Sequence, residues 1–119
     1  APAGKIKYPL NYKGENIIGR KARLNPPDVN VLMDSGDGTM SRRHARIHIS
    51  FGTGGTVFLL SDLNSQNGTR LFNRQRQEIQ ILPGDEVYLQ DGYIIRMGNS
   101  ELIFEAVHRQ SPAVPKGIK

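Results

Sequence analysis

The 119-residue chain contains no cysteine at all. That excludes a disulfide scaffold, a thiolate nucleophile and cysteine-ligated zinc, and it suits a reducing compartment. An intracellular setting, cytoplasmic or nuclear, is therefore expected. No apolar run approaches the roughly 20 residues a helix needs to cross a bilayer. The opening "APAGKIKYPL" has no signal-peptide apolar region, so no membrane contact is expected of this segment. It begins on Ala1 and not on Met, as an excised or processed piece of something longer would. Aromatic residues are few, four Tyr and four Phe, mostly at positions expected in a core. That weighs against binding single-stranded nucleic acid, which needs clustered stacking platforms. Helical periodicity is nearly absent.

Positive charge is plentiful. The formal net charge is +5 and the isoelectric point about 9.8, which favours anionic partners. Ten of the sixteen basic residues are Arg, the side chain whose planar fork suits bidentate phosphate recognition. Arg20, Lys21 and Arg23 form one cluster, Arg42, Arg43 and Arg46 a second, Arg70, Arg74 and Arg76 a third. Each cluster also fits a solvated loop or strand face.

Short runs of alternating or β-branched apolar residues recur every 8–12 residues or so, separated by Gly, Pro, Asn and Asp. In Ala45–Ile49, Ala45, Ile47 and Ile49 share one face, with Arg46 and His48 on the other. Further strands are expected at Lys5–Leu10, Asn16–Gly19, Asp28–Met33, Val57–Leu60, Arg70–Phe72, Glu78–Ile81, Glu86–Leu89, Tyr93–Met97 and Glu101–Ala106. "QDG" at Gln90–Gly92 and "GNS" at Gly98–Ser100 read as hairpin turns, and "DSGDGT" at Asp34–Thr39 as a flexible link. The expected fold is an all-β, antiparallel β-sandwich of many short strands, with a ligand site on loops at one end. Residues 1–106 form the domain, and residues 107–119, with Pro112, Pro115 and Gly117, a flexible tail or linker.

Several chemistries can be tested on the residues. Ser41, His44 and Asp62 include the types of a catalytic triad, but Ser41 and His44 flank a strand start and no nucleophile elbow is present. His44, His48 and His108 lack metal-ligand spacing, and no Gly-x-x-x-x-Gly-Lys phosphate loop occurs. No catalytic residue, metal or cofactor is expected. Asn67-Gly68-Thr69 satisfies a glycosylation sequon but reads better as a tight turn, with Gly68 at positive φ.

Four elements in order remain: Gly19-Arg20; Ser41-Arg42-Arg43-His44; Asp62-Leu63-Asn64-Ser65-Gln66-Asn67-Gly68-Thr69; and "LPGDEV" at Leu82–Val87. Together they resemble the forkhead-associated (FHA) family of β-sandwich modules, over about residues 16–106. The resemblance implies a non-enzymatic module that binds phosphothreonine in a protein or peptide partner, one on its own chain included, and mediates phosphorylation-dependent interaction in signalling. It implies phosphate binding by Arg20, Ser41, Arg42, Ser65 and Gln66, and capture of the peptide backbone by Asn67. Gly19, His44 and Gly68 would support the site, His44 by bracing the Ser41 loop. Two positions depart from the family pattern. Gln66 stands where Thr or Ser is common, which puts that phosphate contact in doubt. Asn64 stands where Gly is common, and Asn can still adopt the left-handed conformation. Arg43, Arg46 and Arg70 are open between solvation and selectivity for acidic residues flanking the phosphate. Two competing readings remain: a sandwich that binds partners without phosphate, and a nucleic-acid binder with steep salt dependence.

Overall fold

The computed structural model describes residues 7–11, 14–34, 36–82 and 84–106. Among them are nine strands in two sheets: β1 (Glu15–Arg20), β2 (Val31–Met33), β3 (Ala45–Gly52), β4 (Gly55–Asp62), β5 (Thr69–Phe72), β6 (Glu78–Ile79), β7 (Val87–Tyr88), β8 (Ile94–Met97) and β9 (Ser100–Ile103). The first sheet runs β2-β1-β3-β4-β7 and the second β6-β5-β8-β9. Their inner faces meet in one core containing Ile18, Val31, Met40, Ala45, Ile47, Leu60, Leu71, Ile95 and Met97. Phe58 and Phe104 pack edge to face, 5.0 Å between ring centroids.

Alternation does what the sequence led one to expect in β3. Ala45, Ile47 and Ile49 are buried, while Arg46 and His48 stand on the outer face. The β3–β4 hairpin turns at Thr53-Gly54, with Gly52 paired to Gly55, and β8–β9 turns at Gly98-Asn99, with Met97 paired to Ser100.

Four expectations need correction. Lys7–Leu10 is not a strand, although Tyr8 and Leu10 pack on the core; Lys5 and Ile6 lie outside the described residues, as does the expected tail, 107–119. The sandwich is not wholly antiparallel, because β1 and β2 pair in parallel, Ile18 opposite Val31 and Arg20 opposite Met33. The intervening "NPPD" turn brings the chain back alongside β1, and Asn30 N donates to Ile17 O. Gln90–Gly92 is no hairpin turn: β7 and β8 belong to different sheets, so this segment carries the chain across the sandwich. Finally, Phe51 and Tyr88 are largely exposed, at 62% and 66%.

What orients the loops is the pairing register. Ile18 stands opposite Ala45, Ala45 opposite Asp62, Thr69 opposite Met97, and Met97 opposite Ser100. The C-terminal end of β1, the segment entering β3, the β4–β5 crossing and the β8–β9 turn therefore share one end. At the other end of β1, fully buried Asn16 joins three segments. Its Oδ1 accepts from Asn11 N and Asn30 Nδ2, and its Nδ2 donates to Asn11 O.

Asn16→Ala removes these three hydrogen bonds, each worth about 0.5–1.5 kcal/mol net. The variant is expected to lose about 2–3 kcal/mol in urea unfolding with an unchanged slope. A loss below about 0.5 kcal/mol, the range of ordinary surface changes, would contradict this role.

Candidate anion-binding site

Gly19 has no side chain because the backbone of the 41–44 segment lies where one would be. A Cβ there would sit 2.6 Å from the Arg42 carbonyl carbon and closer still to its oxygen. That approach lets Arg20 N donate to Ser41 O at 3.0 Å and His44 N to Ile18 O at 2.8 Å. Arg20 then folds back so that its Nε donates to Met40 O at 2.9 Å. One edge of the guanidinium is thereby fixed, and among the described residues its terminal nitrogens meet no partner.

His44 is completely buried and connects two loops. Its Nδ1 accepts from Ser41 N–H at 2.9 Å, and its Nε2 donates to Gly68 O at 2.8 Å. An Nδ1 that accepts and an Nε2 that donates specify the neutral Nε2–H tautomer. Both ring nitrogens are committed to the backbone. The Ser41 hydroxyl is bonded elsewhere, accepting from Gln66 N at 3.1 Å. Asp62 faces Ser65 and Thr69. A triad relay through this histidine is thus absent.

The β4–β5 loop is organised by that aspartate. Asp62 accepts from Ser65 N at 3.0 Å, from the Ser65 hydroxyl, and from Thr69 Oγ1 at 2.6 Å. Asn64 takes φ +55° and Gly68 φ +79°, the left-handed conformations expected of both. The turn presents Asn67, whose Nδ2 donates to Thr39 O at 2.7 Å, leaving Oδ1 without a partner among the described residues. The Ser65 hydroxyl proton faces Asp62 and not outward. Gln66 is exposed, and its N–H is engaged by Ser41.

Sequence reasoning missed a brace under these loops. Asp37 accepts from Thr39 N and the Thr39 hydroxyl through Oδ1, and from Asn99 N and Ser100 Oγ through Oδ2. The stretch read as a flexible link is tied at Asp37 and Thr39 to the β8–β9 turn. These hydrogen bonds, the Ser100 and Thr39 hydroxyls foremost, lower the Asp37 carboxyl from 3.8 to about 2. No local spacing signals a contact some sixty residues apart; the Asp-Gly-Thr pattern hints only at an Asx turn.

The arginines divide sharply. Arg43 pairs with Asp28 (2.9 Å), Arg46 with Glu15 and Glu86 (3.0 and 2.8 Å), and Arg70 with Glu78 (2.8 Å). Arg74 faces Asp91, and Arg76 and Arg96 share Glu101. Among the described residues Arg20, Arg23 and Arg42 face no carboxylate. Arg20, the Ser41 hydroxyl and the Asn67 carboxamide each lie within one hydrogen bond of residues 39–41 or the loop opposite them, so the three segments converge. A guanidinium left without a carboxylate and fixed at Nε by the backbone is the kind of group an anion would seek, which makes this end of the sandwich a candidate anion site.

Residues 16–98 match the sequence family described as the FHA domain. The chain is 41% identical over 93 residues to the FHA domain-containing protein FhaA of Mycobacterium tuberculosis, covering 76% of this chain and 14% of FhaA. It therefore spans only about a seventh of that curated relative. Among solved structures, it resembles one from a structural and functional analysis of phosphothreonine-dependent FHA domain interactions, at 36% identity and TM-score 0.55, covering 79% of this chain and 78% of the other. It also resembles Mycobacterium tuberculosis EmbR in complex with a low-affinity phosphopeptide, at 33% identity and TM-score 0.54, covering 82% and 21%. The yeast Pml1 splicing factor, 24% identical with TM-score 0.66 over 84% and 67%, shares the fold.

Two outcomes follow from this geometry. His44→Ala strips partners from Ser41 N–H and Gly68 C=O, and should cost about 2–4 kcal/mol, with faster hydrogen exchange at the Ser41 amide than at Ile47. Native stability with unchanged Ser41 protection would contradict the bridge. Because the folded state lowers the Asp37 carboxyl to about 2, its contribution to stability is complete above about pH 4 and is lost as pH falls through about 2. Asp37→Asn should flatten the acid limb of a stability–pH curve in that window, whereas parallel limbs for variant and wild type would contradict the assignment.

Proposed function

This chain belongs to the forkhead-associated (FHA) domain family, and from that membership we propose that it binds phosphothreonine in partner proteins, as a non-catalytic module for phosphorylation-dependent protein–protein interaction. The observation that carries this reading is Arg20: a guanidinium held at Nε by Met40 O, the residue before Ser41, and facing no carboxylate among the described residues.

A phosphothreonine brings about −1.5 to −2 charges and three acceptor oxygens. The terminal nitrogens of Arg20 offer a bidentate grip on two of them. The Ser41 hydroxyl, which accepts from Gln66 N, keeps its proton for a third contact, and Arg42 adds charge at the rim. Asn67 has an Oδ1 to accept from a peptide N–H and a second Nδ2–H to donate to a peptide carbonyl, which holds an extended strand across the loops. Ser65 serves through Asp62, by holding the loop, and Gln66 through its backbone bond to Ser41, with its carboxamide at the rim. Gly19, His44 and Gly68 support these groups. Each hydrogen bond to the charged phosphate contributes roughly 1.5–3 kcal/mol before desolvation and peptide ordering are subtracted.

Preference for threonine over serine follows from the γ-methyl, about 0.8 kcal/mol per buried carbon, together with the stiffer χ1 of a β-branched residue. The partner is a phosphothreonine protein or peptide, carried by another chain or by this one. We place the module inside the cell, where the absence of cysteine fits a reducing compartment. Nucleic acid is the weaker reading, since the Arg43, Arg46 and Arg70 charges are already matched by carboxylates.

Calorimetric titration with a phosphothreonine peptide library and its unphosphorylated twins tests the proposal. Affinity in the micromolar range, about −8 kcal/mol, is expected for the best phosphorylated peptides. Arg20→Ala should weaken them by about 10- to 100-fold, the loss of one or two charge-assisted bonds. Equal binding of phosphorylated and unphosphorylated peptides would overturn it.

A further inference from the structure

The exposed Asn67 carboxamide is held from outside its own loop. Its Nδ2 donates to Thr39 O, on the segment that leads into β3. Thr39 sits between Gly38 and Met40, three residues after Gly36 at φ +68°, and glycines give a segment little stiffness of its own. What fixes it is the Asp37 carboxylate, which takes the Thr39 amide at 2.9 Å and the Thr39 hydroxyl through one oxygen. The other oxygen takes Asn99 N at 3.0 Å and Ser100 Oγ at 2.6 Å, from the β8–β9 turn. Asn99 N also donates to Thr39 Oγ1 at 2.9 Å. Gly98 comes so near that a Cβ there would lie 2.6 Å from Thr39 O, the same oxygen that holds Asn67.

We propose that Asp37 is a positioning residue for peptide binding: acting through Thr39, it sets the direction of the Asn67 carboxamide and so couples the β8–β9 turn to the recognition loop. This rests on the reading of Asn67 as the ligand of the peptide backbone. An unanchored carboxamide on the surface samples several rotamers and both amide orientations, and ordering it on binding carries an entropic cost. Anchoring Nδ2 to a fixed carbonyl selects one orientation in advance, with Oδ1 and the remaining N–H turned to the ligand. Among the described residues the Asp37 carboxylate bonds to Thr39, Asn99 and Ser100 and not to Arg20, Ser41 or Arg42, so the phosphate contacts stand apart from it.

The test is a double-mutant cycle in affinity for one phosphothreonine peptide: wild type, Asp37→Ala, Asn67→Ala and the double variant, each shown folded by its urea transition. Asp37→Ala should weaken the peptide by about 3- to 10-fold in the wild-type background and by less than about 1.5-fold when Asn67 is already gone, the signature of coupled sites. Asp37→Asn, which retains the Oδ1 acceptor for Thr39 but turns an NH2 donor toward Asn99 N, should recover only part of the loss. Competition by inorganic phosphate, which has no backbone for Asn67 to hold, should not change. Equal losses in both backgrounds, or none in either, overturn the proposal. A second readout separates it from the reading it rests on. In the ligand-free protein, the side-chain amide resonances of Asn67 should move toward those of a free carboxamide in Asp37→Ala. If they stay in place, the brace is refuted whatever the peptide does. If they move while no phosphopeptide binds wild type, the brace stands and the phosphothreonine assignment falls.

Discussion

One imidazole ring keeps two loops in register. His44 accepts the Ser41 amide on one nitrogen and donates to the Gly68 carbonyl with the other, fully buried between the segment entering β3 and the β4–β5 crossing. A backbone group buried without a partner is costly, so the ring's two bonds are each hard to give up. With them in place the Ser41 hydroxyl meets Gln66 N and the Asn67 carboxamide reaches Thr39 O. Recognition here depends on a scaffold ordered before the ligand arrives, which leaves more of the gross interaction energy as affinity.

Much of that scaffold was legible because its requirements are local. The left-handed turn needs Asn64 and Gly68, and the alternation of Ala45, Ile47 and Ile49 sets which face of β3 is buried. Gly19 was named only through the family resemblance, since the Arg42 backbone that excludes a side chain there is distant in sequence. The ordered motifs identified the family. What could not be read was long-range. Asp37 meets Asn99 and Ser100 on the other sheet, and neither stretch carries a pattern that names its partner. The parallel β1–β2 pair was hidden for the same reason, since a turn containing two prolines does not announce where the chain returns. Ser65 was expected to bind phosphate, and its hydroxyl donates to Asp62 three residues back, a bond that residue type alone does not reveal.

Net charge was a coarse guide and its pairing a fine one. A charge of +5 suits an anionic partner but does not locate it. Arg43, Arg46 and Arg70 are each matched by a carboxylate at the surface, where such pairs add little stability but quench the local field. Arg20 and Arg42 face no carboxylate among the described residues, and they flank the loops that His44 joins. Pairing alone leaves Arg20, Arg23 and Arg42 unmatched among the described residues, and it is their place beside these loops that singles out Arg20 and Arg42 for the candidate site.

The most direct test of this account is a two-dimensional proton–nitrogen NMR titration with a phosphothreonine peptide, side-chain resonances included. The account requires the largest changes at Arg20 Nε, the Ser41 and Arg42 amides and the Asn67 carboxamide, with no comparable response to the unphosphorylated peptide. Changes centred instead on the Phe51 hairpin tip or on Tyr88, or identical responses to both peptides, would contradict it.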